Sequence, residues 1–100
     1  MKYFEILITS QAEVDASEIS DSYENASPGL GERFLSNYFE TLQKIERNAQ
    51  YCFNVEDGYR RAHINRFPYS VYFSIKGNKA IILAVLHQHR NPEEWQKRKL

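Results

Sequence analysis

Residues 59–86 read YRRAHINRFPYSVYFSIKGNKAIILAVL, and the reading of this stretch decides the fold. Tyr59–Arg66, Tyr69–Ile75 and Ala80–Leu86 are short runs rich in β-branched and aromatic side chains, the composition that suits a pleated, half-buried surface. Between them lie Phe67-Pro68 and Lys76-Gly77-Asn78, where proline fixes φ and glycine admits a left-handed turn. Upstream, Glu56-Asp57-Gly58 separates Tyr59 from one more such run, Tyr51–Val55. Four strands joined by short turns make an antiparallel meander. Ala80–Leu86 is apolar on both faces, so it belongs near the sheet centre, beside any strand contributed by the N-terminal part.

That strand is Tyr3–Thr9 (YFEILIT), whose apolar residues fall on both faces and so predict an interior position. Ser10-Gln11-Ala12-Glu13 has the form of a capping box and predicts a helix start at Ser10. Ala12, Ala16, Ile19 and Tyr23 then form a narrow apolar stripe on an acidic segment that runs to about Asn25. Ser27-Pro28 places a capping hydroxyl before a proline at the first helical position. The second helix runs to about Asn48 with Leu30, Phe34, Tyr38, Leu42 and Ile45 as its buried stripe, widened by Leu35 and Phe39. The fold class is therefore α+β: a helical hairpin on a small, mostly antiparallel sheet, in the order β-α-α-β-β-β-β, with residues 1–100 as a single domain.

Composition narrows the setting. The chain has 100 residues, 42% of them hydrophobic, and its 7 Tyr and 6 Phe suit a small sheet filled by a few large rings. The single cysteine, Cys52, forms no internal disulfide and reads as a small core residue, which points to a reducing compartment. No apolar stretch approaches the roughly 18 residues of a membrane span, so a cytoplasmic protein with no membrane partner is expected. The formal charge is zero but segregated: residues 1–58 hold four Lys/Arg against eleven Asp/Glu, and residues 59–100 hold nine against two. A balance of −7 against +7 creates a field that draws a polyanion or an acidic surface to the basic part.

The basic part also contains the groups that chemistry would use. Strand alternation puts Arg61 and His63 on one face, and His87 and His89 on one face if the last strand runs that far, with Arg90 just beyond. Should those faces coincide, His63, His87 and His89 supply the base and acid, and the arginines the cations, that RNA cleavage through a 2′-hydroxyl requires. Otherwise His87 caps the strand end through its ring and the others are solvated. His87-x-His89 lacks a third ligand, so neither a metal nor another cofactor is expected. Arg60 shares a face with Ala62 and Ile64, which would make it a buried or half-buried structural partner of an acidic helix residue. Tyr69, Tyr72 and Phe73 read as sheet core, and Trp95 as the anchor of a polar tail.

From Arg60 to Arg98 the chain resembles the RelE/ParE toxin superfamily, through RRAHI, FPYSVYF, a Gly-Asn turn, a hydrophobic strand and HQHRNPEEWQKR. The residues that carry the likeness are Arg60, Phe67, Pro68, Tyr69, Val71, Phe73, Val85, His87, Arg90, Pro92 and Trp95. The resemblance implies the toxin of a type II toxin–antitoxin pair, neutralised by a cognate antitoxin protein. Members similar to RelE cut messenger RNA on the translating ribosome, and members similar to ParE inhibit DNA gyrase without cutting. The tail after Arg90 has no Tyr, a departure from the ribonuclease branch, whereas its His-x-x-Arg-x-Pro and Trp ending is typical of the ParE side and of chains called plasmid stabilisation proteins. Gyrase inhibition is the expectation, with the ribonuclease and a non-toxic relative of the fold as alternatives. The charge split and the family habit together nominate Arg60, Arg61, Arg90 and Arg98 as the target-binding set.

Overall fold

The computed structural model describes residues 3–90 and 93–100, so Pro92 of the C-terminal pattern lies outside the described residues. Strand β1 (Glu5–Ile8) leads into helices α1 (Ser10–Ala26) and α2 (Leu30–Asn48), then into β2 (Phe53–Glu56), β3 (Tyr59–His63), β4 (Tyr69–Lys76) and β5 (Lys79–His87). The sheet order is β1-β5-β4-β3-β2, antiparallel except for the β1–β5 pair. The α+β class and the element order follow the sequence expectation. The position of β1 does not: it is an edge strand paired to β5 alone, and although Ile6 packs into the core, Leu7 and Ile8 stay exposed. Two apolar faces in a four-residue strand reflect its ends as much as its burial.

Each helix starts one or two residues away from the expected cap. Chain leaving β1 is still extended at Thr9 (φ −69°, ψ 156°), so Thr9 caps α1, its hydroxyl accepting from Ala12 N–H at 3.2 Å, and Ser10 is already helical. Ser27 closes α1 instead of opening α2, donating its N–H to Tyr23 O. The cap of α2 falls to Gly29, whose φ of +88° is readily reached only without a Cβ. Its orphan donors are met from the other helix: Glu24 accepts from Gly29 N–H at 2.9 Å and from Gly31 N–H at 3.0 Å, an anion where the helix dipole favours one. Close approach of the hairpin also needs Gly31, because a Cβ there would lie 2.5 Å from Ser20 O.

The hairpin covers one face of the sheet. Phe34, Tyr38, Leu42 and Ile45 of α2 pack with Val71, Phe73, Ile82 and Val85, all buried, while Phe39 stands out on the surface against the wider stripe expected from periodicity. A β-bulge in β5 shapes the other face. Tyr72 pairs with Ala84 but Phe73 with Ile82, so Leu83 is the extra residue, and Leu83 and Ala84 both turn away from the hairpin. There they pack with Tyr72 beneath Trp95, carried by a 3₁₀ segment at Glu94–Arg98, as the tail anchor expected from sequence.

Burial pushes the Tyr38 phenol from its usual 10.0 up to about 12, with the charges of Glu13 and Asp15 adding to the effect. The folded protein therefore keeps a proton that the unfolded chain releases, and stability present below pH 10 is lost as pH rises toward about 12. Tyr38→Phe should flatten the alkaline limb of a stability–pH profile measured by denaturant unfolding. An unchanged limb would remove Tyr38 as its cause.

Candidate functional site

At the C-terminal end of β5 the strand delivers His87 to the hairpin face, opposite Tyr69, whose ring is 5.2 Å away and nearly perpendicular. His87 Nδ1 accepts from His89 N–H at 3.0 Å, which leaves Nε2 as the protonated nitrogen of the neutral ring. The ring thus caps the strand end. Desolvation foremost, then Arg90 and His89, holds its pKa below the usual histidine value. His89 follows with its ring centroid 6.0 Å from that of His87. His87 lines a recess of about 350 Å³ whose walls also include Glu18, Ser22, Tyr69, Arg90 and Arg98. Arg90 is exposed there and makes no hydrogen bond or ion pair among the described residues.

His63 is not part of this group. It pairs with Ser70, one residue away from the Tyr69–His87 pair, and so lies on the opposite sheet face, where its Nδ1 meets Gln88 Nε2. The three histidines therefore form a pair and a single. Arg61 shares the His63 face as expected and lays its guanidinium over the Phe53 ring, 4.2 Å from the centroid.

Two of the four arginines are held by the protein itself. Arg60 lies on the hairpin face but takes no acidic helix residue; its Nη1 donates to Cys52 O at 2.7 Å. Arg98 pairs with Asp15, Nη1 to Oδ2 at 2.6 Å and Nη2 to Oδ1 at 3.3 Å, and donates also to Leu83 O at 3.1 Å. Arg98, expected as a target contact, serves here as a tie between tail, helix and sheet. Together with Lys99 on Glu56, it also joins the basic tail to acids of the first half, which blurs the charge split read along the sequence.

Cys52 is half-buried, its thiol pushed up by burial against the opposing pull of Arg60 and Lys44, and its Sγ donates to Asn48 O. Sequence reasoning missed Asp15, one of five acids on α1 with nothing local to single it out. It also missed Tyr51 and Phe53, taken as strand residues, which are 80% and 60% exposed beside Arg61. They line a groove of about 660 Å³ between α2 and the β2–β3 edge, which shares no lining residue with the His87 recess.

A family model described as the ParE toxin of the type II toxin–antitoxin system, parDE, matches residues 6–92. Among solved structures, the chain is similar to one titled "Chromosomal ParDE TA system from P. aeruginosa", with a TM-score of 0.75 and 22% identity over 85% of this chain and 96% of that one. At that identity the likeness speaks for the fold. A search of curated proteins finds no match.

Proposed function

The chain belongs to the ParE toxin family of type II toxin–antitoxin systems, and from that premise we propose that it arrests growth by binding and inhibiting DNA gyrase, without cutting nucleic acid itself. The observation that carries this reading is the separation of the histidines. Cleavage through a 2′-hydroxyl needs base, acid and cation around one phosphate; here His63 faces away from His87 across the sheet, and the acceptor nitrogen of His87 is already taken by His89 N–H. Binding asks less: a presented cation and a rigid surround. Arg90, without an internal partner among the described residues and set beside His87 and Tyr69, is the residue we assign to the target, with Arg61 second. The chain works as one domain in the cytoplasm and is neutralised by a cognate antitoxin.

Purified gyrase incubated with the protein should lose supercoiling activity or accumulate cleaved DNA complexes. Arg90→Ala should raise the protein concentration needed by roughly tenfold, as loss of a contacting charge commonly does, with thermal stability unchanged. Unimpaired gyrase at micromolar protein would overturn the proposal. Site-specific messenger cleavage after induction would put the ribosome-dependent ribonuclease in its place, and normal growth with abundant folded protein would leave a non-toxic relative.

A further inference from the structure

The groove between α2 and the edge formed by β2 and β3 has a composition of which the gyrase reading uses only Arg61, its second contact. Tyr51 and Phe53, two residues apart, present their rings at one end of it with 80% and 60% of their surface exposed. Neither belongs to the buried core, so packing does not account for them. Arg61, opposite Phe53 in the ladder, stacks its guanidinium 4.2 Å from the Phe53 centroid. Lys44 lines the same groove with the amides of Asn37 and Asn48, His63 borders it at the strand edge with its ring turned to Gln88, and Glu40 is the one carboxylate on its walls among the described residues. The volume, about 660 Å³, is that of a site for an extended ligand of modest size.

We propose that this groove binds unpaired nucleobases of a single-stranded nucleic acid, with Tyr51 and the Phe53–Arg61 pair as stacking platforms and Lys44 as a phosphate contact. Exposed aromatic rings interleaved with cations are the arrangement that holds single strands, because every base has a π-face and every linkage a charge. A duplex hides its base faces and would gain only the charge. Tyr69, Tyr72 and Phe73, the rings that attract notice in the sequence, are turned into the sheet packing and cannot do this. Binding here involves neither Arg90 nor the His87 recess and shares only Arg61 with the gyrase reading, so the Tyr51 and Phe53 variants test it apart from gyrase inhibition.

Fluorescence anisotropy with labelled single-stranded RNA and DNA of about eight nucleotides, and with a duplex of the same sequence, tests the proposal. The single strands should bind more tightly than the duplex and weaken as salt rises from about 50 to 200 mM. Stronger RNA binding would identify the 2′-hydroxyl as a contact, stronger DNA binding would make the displaced strand of an opened duplex the ligand, and either supports the groove. Tyr51→Ala and Phe53→Ala should each weaken binding by roughly 5- to 150-fold, the usual worth of one stacked base. Lys44→Gln should reduce the salt dependence by about one phosphate. Phe39→Ala removes an exposed ring elsewhere on α2 and should change nothing. No binding at low salt, a preference for duplex, or affinities untouched by the Tyr51 and Phe53 variants would overturn it.

Discussion

Asp15→Ala should cost about 3 kcal/mol of folding free energy, more than any other exchange of a single charged side chain here, although Asp15 sits on a helix crowded with expendable acids. Its carboxylate accepts from Val85 N–H at 2.9 Å and from both terminal nitrogens of Arg98, with side chains only 15% and 14% exposed. The geometry follows from strand lengths. β1 pairs with β5 only as far as Ile82, so beyond that point the outward groups of β5 have no neighbouring strand. Asp15 takes the Val85 N–H and Arg98 takes the Leu83 carbonyl across the bulge. Alanine would leave a largely desolvated guanidinium and an orphaned amide, and the loss of a partner from such a pair costs far more than the pair is worth intact. Arg98→Met removes the cation but leaves Asp15 its amide donor, and should cost less. The double variant should then fall short of the sum of the two, since they share one interaction. Urea unfolding of the four proteins gives the comparison. Additive losses, or an Asp15→Ala variant within about 0.5 kcal/mol of the parent, would show that Asp15 is one more surface acid.

How far the sequence reaches depends on the distance over which an interaction is set. Period and turn chemistry are local, so Phe34, Tyr38, Leu42 and Ile45 could be placed on one helix face and the meander drawn from its Gly and Pro breaks; both stand in the structure. Caps are local too, yet two failed, because the decisive partner at α2 is Glu24 from the preceding helix and the start of α1 is set by where β1 stops being extended. The edge position of β1 hangs on a parallel pairing across more than seventy residues, which alternation cannot specify. At the site, face alternation correctly joined Arg61 to His63. It could not decide which face His87 would share with them, because that depends on the β4–β5 register and the one-residue bulge at Leu83. Arg98 and Asp15 lie 83 positions apart. A charge read as available for a target was already committed to the fold.

Trp95→Ala should lower stability by about 3–5 kcal/mol, the range for truncating a buried large aromatic side chain, out of a total that for a protein of this size is about 5–15 kcal/mol. The residue sits in a polar tail, between Glu94 and Gln96, where a lone large apolar side chain is expected to seek burial. It is 3% exposed. Its ring stacks on Tyr72 at 5.8 Å between centroids and 9° between planes, tilts against Tyr59 at 5.4 Å, and closes over Leu83 and Ala84, which the bulge has turned outward together. Trp95 is therefore the lid on the second, smaller apolar cluster, which the hairpin cannot reach from the other face. Its removal would open Tyr72 and Leu83 to water as well as forfeit its own burial, so Trp95→Phe, which keeps a ring on the cluster, should recover about half of the loss. Unfolding must be followed by far-ultraviolet circular dichroism, since the variants lose the fluorophore. In the parent, Trp95 emission should resist acrylamide quenching. If Trp95 did not hold the tail down, Trp95→Ala would cost little and its effect would add to that of Asp15→Ala. If the tail is a packed part of the fold, Trp95→Ala and Asp15→Ala should be non-additive, because each already releases the segment that the other holds down.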